Sequence, residues 1–427
     1  MEVALGLILF CVLLAAGMPI FLVLGVGAAV LFVMSGEPLV SLAQKLVDEP
    51  NSSTLMARPF FVMAAAFMRR GGVARALVDL ATAWVGPLPG SLGLVTVISC
   101  TLFAAICGSS VATALAMGTI LLPAMLERGY PRSFALGVIG ASGTIGIVIP
   151  PSLSLILYGI VTEQSVPRLF LAGILPGLLQ ALLFGLWVVF YARYHQLPRE
   201  RAYTLAELLH ATVKAAPALA IPTIVIAGIY GGVVTVTEAA ALSAMIALIV
   251  SLVFYRGFAL RETPAVIAEA MYSASTIMII VVTALAFGHW MTRSGAPAAL
   301  VRFVLDHHLS TWQFLLTINV LLLVIGCFLE VSSTLLVVMP ILAPALLPLG
   351  VDPVHFAIIF THNMEVGLVH LPVGLNLFVL ASLCDAPTRE VIRGILPFLL
   401  LLLVVLAIIT YVPTLSLWLP NAIYGAS

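Results

Sequence analysis

The sequence predicts an all-α polytopic membrane protein built as two inverted repeats, and three observations carry that reading. First, 62% of the 427 residues are hydrophobic and only 8% are charged, where a soluble domain carries about 25% charged residues. Second, the mean hydropathy is +1.21, and many apolar runs reach the roughly 20 residues a helix needs to cross a bilayer. These runs do not alternate polar and apolar residues as barrel strands would. Third, one order of features occurs twice: a polar knot, an apolar run, then a Gly/Pro break.

In chain order, apolar segments fall near 3–33, 54–68, 92–107, 111–126, 132–162, 169–192, 215–233, 238–255, 270–291, 311–328, 332–348, 354–384 and 394–418. The first lacks a basic leader and is too long for a signal core, so it reads as a retained transmembrane helix. Residues 193–214, "RYHQLPRERAYTLAELLHATVK", are the longest polar interruption and read as a cytoplasmic connector with an amphipathic helix. They divide a first half, 1–192, from a second half, 215–427. The formal net charge is zero and no basic tract points to nucleic acid. Cys11, Cys100, Cys107, Cys327 and Cys384 lie in apolar runs without CxxC spacing, which suits packing rather than metal or disulfide chemistry.

Landmarks align the halves. Thr113 to Pro123 spans ten residues, as does Thr334 to Pro344; Pro131 to Pro150 spans nineteen, as does Pro353 to Pro372. With the base of the first hairpin, "LERGYPR", facing the cytoplasm, 13 of the 18 Lys and Arg residues fall inside. That bias obeys the positive-inside rule and favours opposite insertion of the two halves.

The breaks carry the chemistry. Backbone polar groups at membrane depth must be satisfied within protein or line a wet cavity. "CGSS", with Gly108, Ser109 and Ser110, lies between the runs 92–107 and 111–126, which are short for full crossings. It suits the tip of a re-entrant hairpin over 92–127. "GASGTIGIVIPPS" interrupts the segment 132–162, and its Gly143, Thr144, Gly146, Pro150 and Ser152 would free carbonyls for a cation. The half-helix that follows offers its positive end to an anion. The second half repeats this in a hairpin over 311–348, with Ser332, Ser333 and Thr334 at its tip. A broken helix over 354–384 follows, with Asn363, Glu365, Gly367, His370, Gly374 and Asn376 at its break. Four such breaks meeting at mid-membrane would hold a small solute and Na⁺-like ions.

The passages "RPFFVMAAAFMRRGGVARALVDLATAWVG", "CGSSVATALAMGTILLPAMLERGYPRSFALGVIGASGTIGIVIPPS", "GIYGGVVTVTEAAALSA" and "GVDPVHFAIIFTHNMEVGLVHLPVGLNLFV" resemble the DctM-like large membrane subunit of tripartite ATP-independent periplasmic (TRAP) transporters. The likeness runs from about residue 3 to 420. It implies an elevator-type carrier, in which a transport part holding both hairpins moves against a fixed scaffold. It also implies no cofactor beyond Na⁺ as coupling ion, held near Ser110, Gly143, Gly146, Thr334 and Gly367. The implied partners are a small four-helix membrane subunit, here a separate chain, a periplasmic substrate-binding protein, a small anionic solute and lipid. The implied place is the bacterial inner membrane. Family members carry mostly small organic acids, including dicarboxylates and sialic acids. Where the family often reads Thr-Pro-Pro, this chain has His370, Leu371 and Pro372, and His362 stands at a position expected to be apolar.

Other residues have plainer readings. "TVTE", Thr235 to Glu238, fits a helix capping box. Glu330 and Glu365 are intramembrane carboxylates, which are functional candidates by default; for Glu365 the structural alternative is a pairing with Arg58. The remaining histidines, including His307 and His308, read as loop residues. Two competing functions are an intramembrane hydrolase using Ser109 and His370, and an ion channel. The duplicated breaks give two equivalent polar centres, which hydrolysis does not need, so the chain is expected not to be an enzyme.

Overall fold

The computed structural model describes residues 12–13, 16–36, 38–48, 53–327, 329–370, 374–384 and 386–425. Every regular element among them is helical, and seven helices are long and apolar enough to cross a membrane. In order they are α1 Ile20–Met34, α2 Leu39–Asp48, α3 Ser53–Arg70, α4 Val73–Val85, α5 Ser91–Cys107, α6 Ser110–Glu127, α7 Arg132–Thr144, α8 Leu153–Thr162, α9 Val166–Tyr194, α10 Leu205–Tyr230 and α11 Val236–Ile249. There follow α12 Thr263–Arg293, α13 Ala296–Asp306, α14 Thr311–Gly326, α15 Val331–Leu346, α16 Pro353–Val369, α17 Leu375–Cys384, α18 Thr388–Tyr411 and α19 Thr414–Tyr424.

Local chemistry sets many of the boundaries. Capping boxes start α10 (Thr204 with Glu207), α11 (Thr235 with Glu238) and α14 (Ser310 with Gln313), each satisfying two orphan amides. Asp352 starts α16 by accepting from Val354 N at 2.7 Å and His355 N at 3.1 Å. A short 3₁₀ turn, Ile145–Ile147, follows α7 before the chain reaches α8.

Four expectations shift. The run 3–33 is not one helix where it is described: a turn at Ala16 and Gly17 (φ 77°) precedes α1, and residues 1–11 lie outside the described set. The connector's helical part is not separate. Nothing breaks the chain after the Thr204 cap, so residues 205–214 are the first turns of α10. The last run divides at Val412 and Pro413, because proline has no amide with which to continue α18. Finally, α6 at 18 residues is long enough by length and composition to span, although it pairs with α5 as a hairpin arm.

Packing forms two apolar cores. One surrounds α5, α6 and α7 but also takes in Val366, Leu377 and Leu380 from the second half. The other surrounds α14, α15 and α16 and takes in Leu155, Ile156 and Leu169 from the first. The exchange is reciprocal: α17 packs on α6, and α8 packs on α15. Helices α7 and α18 approach backbone to backbone, since a Cβ on Gly394 would stand 1.8 Å from Ser133 O. Polar contacts gather cations that the positive-inside count assigned to one side. Arg128 pairs with Glu200 at 2.6 Å, Lys214 with Asp79 at 2.8 Å, and Arg132 with Glu390 at 4.0 Å.

Candidate functional site

Helix α5 ends on Gly108, whose φ of 62° is left-handed, and α6 begins after the extended Ser109. The turn is pressed onto the break between α7 and α8. A Cβ on Gly108 would stand 2.5 Å from Pro151 O, and one on Gly146 would stand 2.9 Å from Ser109 O and 3.0 Å from Thr113 Oγ1. Gly143 faces Ala114 at the same closeness, 2.9 Å. Small residues are required here because two backbones touch. Thr113 Oγ1 donates to Ser109 O at 2.7 Å. Beyond Pro150, Ser152 caps α8: its Oγ donates to Ile147 O at 2.5 Å and accepts from Leu155 N at 3.3 Å. Thr144 Oγ1 donates to Ala141 O at 2.8 Å and accepts from Gln180 Nε2 at 3.1 Å.

The second break reaches into this cluster. Helix α16 ends at Val369, His370 is extended, Gly374 N donates to His370 O at 3.0 Å, and α17 restarts the helix. Leu371 and Pro372 lie outside the described residues. Asn376, fully buried on α17, donates from Nδ2 to Ser110 Oγ at 2.7 Å. Its Oδ1 is buried without a hydrogen-bond partner among the described residues. One amide thus joins the broken helix of the second half to the hairpin tip of the first.

The second tip is organised differently. Glu330 caps α15 by accepting from Ser333 N at 3.2 Å, and Thr334 Oγ1 donates to Glu330 O at 3.1 Å. Ser332 Oγ accepts from Arg58 Nη2 at 2.8 Å, with the guanidinium 3% exposed. Gly367 packs on Gly326, where a Cβ would meet its carbonyl oxygen at 2.8 Å. The pairing of Arg58 with Glu365 does not form. The fully buried Glu365 instead lies 2.9 Å from His362 Nδ1, one helical turn earlier. Glu330 is exposed at a helix cap, with Oε1 accepting from the backbone of Ser333.

His370 points Nδ1 at Cys327 Sγ, 3.2 Å away. Not all other histidines are loop residues: His355 is 3% exposed, with Nδ1 2.7 Å from Ser416 Oγ. Three buried polar residues, Asn319, Thr410 and Gln180, went unread in the apolar runs. Asn363 Nδ2 donates to Asn319 Oδ1 at 2.7 Å, Asn319 Nδ2 to Thr410 Oγ1 at 2.9 Å, and Gln180 holds Thr144. The signal was available, since an amide inside a membrane run needs a partner as a carboxylate does.

A cavity of about 230 Å³ reaches the first tip. Cys107, Ser109 and Ala112 of the hairpin and Leu153 of α8 line one wall, and Ala65, Arg69, Glu269 and Ser273 of α3 and α12 line the other.

Buried helical breaks, a hairpin tip and an adjoining cavity suit a membrane carrier for small solutes, the class that the family match below establishes; the likeness to a solved structure shows a shared fold. The Alcanivorax borkumensis YdaH transporter superposes with a TM-score of 0.63 at 16% identity, over 90% of this chain and 89% of that one. The family model for "Tripartite ATP-independent periplasmic transporter, DctM component" matches residues 7–415, and the chain belongs to this family. A C4-dicarboxylate TRAP transporter large permease protein from Pseudomonas aeruginosa is 42% identical over 395 residues, 92% of each chain. An isethionate TRAP transporter permease protein, DctMQ, from Oleidesulfovibrio alaskensis is 38% identical over 411 residues, 96% of this chain and 65% of that one. These relatives are permeases, so the chain is a permease of a secondary transporter for small organic acids and the hydrolase reading falls.

Proposed function

We propose that this chain is the permease subunit of a Na⁺-coupled carrier that takes up a small organic acid delivered by a periplasmic binding protein. The solute sits at the first hairpin tip, against Ser109 and Ser110. The single observation that carries this reading is the Asn376–Ser110 hydrogen bond at 2.7 Å, which joins both halves beside the 230 Å³ cavity. Na⁺ is a hard ion that takes oxygen ligands, and Asn376 Oδ1, beside the first tip, is a buried acceptor with no donor among the described residues; Asn363 Oδ1 and Gln180 Oε1 are two more such acceptors on other helices. The two hairpins and broken helices form the moving part of an elevator, and α3, α10, α11 and α12 belong to the scaffold. A small membrane subunit completes that scaffold in the bacterial inner membrane. The DctMQ relative, which extends well beyond the matched region, supports that partnership.

The test is reconstitution of the permease, its small partner and the binding protein in liposomes, with Na⁺ and solute gradients imposed separately. Uptake is expected with inward Na⁺ and both partners. Equal uptake when choline replaces Na⁺ would overturn the coupling, and equal uptake without the binding protein would overturn the delivery step.

A further inference from the structure

A second cavity opens from the first toward the cation-rich side. It measures about 660 Å³ and is lined by Arg69, Arg70, Arg75 and Lys214, with Asp79 as the one acidic lining residue. Arg69 and Leu115 line both cavities, so the two spaces meet at that pair. Glu269 sits at the junction, bonded to Arg69 and, at 2.7 Å, to Arg70. Lys214 is held by Asp79, while Arg75 is exposed and has no ion pair among the described residues. Four cations against two carboxylates leave an excess of two positive charges in one concave space.

We propose that this cavity is an anion exit vestibule, a second binding station for the carboxylates of the transported acid after they leave the hairpin tip. The proposal rests on the functional reading above and adds residues and a charge preference to it. A general cation bias would scatter Arg and Lys over loops. Here Arg69, Arg70, Arg75 and Lys214 lie on α3, α4 and α10 and face the α6 wall of a cleft that continues to Ser109. A low-dielectric cleft lined by one sign of charge concentrates counter-ions. Arg69 is the hand-over residue: at rest Glu269 neutralises it, and an arriving carboxylate takes Glu269's place. The excess of two charges favours a dianion over a monoanion. An anionic lipid headgroup would present the same chemistry to these residues and is distinguished below.

The experiment reads the charge preference without needing solute uptake or Na⁺, so its failure is separable from failure of the coupling scheme. Cysteine is placed at the junction (Leu115→Cys) in the full-length chain with its small partner, in phosphatidylcholine vesicles. It is reacted with an anionic sulfonatoethyl and a cationic trimethylammonioethyl methanethiosulfonate. The parent chain supplies the blank, which subtracts any reaction at Cys107, itself a wall residue of the smaller cavity. The anionic-to-cationic rate ratio is normalised to that at Val233→Cys, a position 79% exposed elsewhere. A normalised ratio of about ten or more is expected, in line with focusing in charged clefts. It should fall severalfold in Arg75→Gln, and succinate should slow the anionic reagent more than propionate does. Thr119→Cys, exposed in the larger cavity, replaces Leu115→Cys if that variant does not fold. A ratio near one, or one that Arg75→Gln leaves unchanged, overturns the proposal. A ratio that collapses when phosphatidylglycerol is added assigns the cavity to lipid headgroups and also overturns it.

Discussion

Replacing Gly108 by alanine tests whether the hairpin tip is seated where backbone meets backbone. Two costs can be separated. A left-handed conformation costs an L-residue roughly 1–2 kcal/mol, and Gly108 has φ 62°. The new Cβ would also stand 2.5 Å from Pro151 O and 3.3 Å from Leu153 N, so the tip must lift off the break by most of an ångström. Overpacking of that kind costs about 1–3 kcal/mol. Gly129 supplies the control: its φ is 76°, and a Cβ there meets nothing within 4 Å. Gly129→Ala therefore carries the strain alone. Gly108→Ala should be less stable than Gly129→Ala by about 1–3 kcal/mol, the overpacking part. At roughly 2 °C per kcal/mol, suited to a large domain, this is a gap of about 2–6 °C. Thermal unfolding of the purified complex, followed by tryptophan fluorescence, measures the gap, and uptake in liposomes reads the functional loss. Equal melting temperatures and equal uptake for the two variants would falsify the placement of the tip against the break.

Asn376→Ala should lower uptake by roughly 5- to 150-fold, because a buried polar contact worth about 1–3 kcal/mol is lost; full uptake would remove the inter-half bond from the mechanism. Gly394→Ala places a Cβ 1.8 Å from Ser133 O, so it should reduce folded yield more than Gly185→Ala, whose nearest neighbour is a side chain at 3.6 Å; equal yields would refute close packing of α7 on α18. Ser332→Ala strips a hydrogen bond from Arg58, whose Nε and Nη1 already lack partners among the described residues. It should destabilise by about 1–3 kcal/mol, and an unshifted melting curve would show that the guanidinium does not depend on Ser332.

The sequence made the long helices legible because apolarity and length alone specify a crossing. It concealed α2, α4 and α13 because none is uniformly apolar, and it merged the start of α19 into the run 394–418. Helix α4, for example, carries Arg75 and Asp79 among eight buried residues, so its signal is periodicity rather than hydropathy. Breaks were legible for a related reason: glycine, proline and hydroxyl residues are costly in lipid unless they are used. Partner choice was not legible. The i,i+3 spacing of His362 and Glu365 was visible in the sequence, but by itself it does not exclude Arg58. The winner follows from helix geometry, since residues three apart share a face, whereas a long-range pairing needs the tertiary fold. Asn376 was a candidate, but its link to Ser110 crosses 266 positions and has no local trace.

The exchange of elements between the two cores has a consequence for synthesis. The core around the first hairpin includes Val366, Leu377 and Leu402, so it stays incomplete until nearly the whole chain has left the ribosome. Until then the knot at Gly108 to Ser110 lacks Asn376, and the carbonyls beside it must find water or a membrane chaperone. A truncation after the connector would leave that hairpin without its lid. The first hairpin therefore settles only once segments from Val366 onward have joined its core.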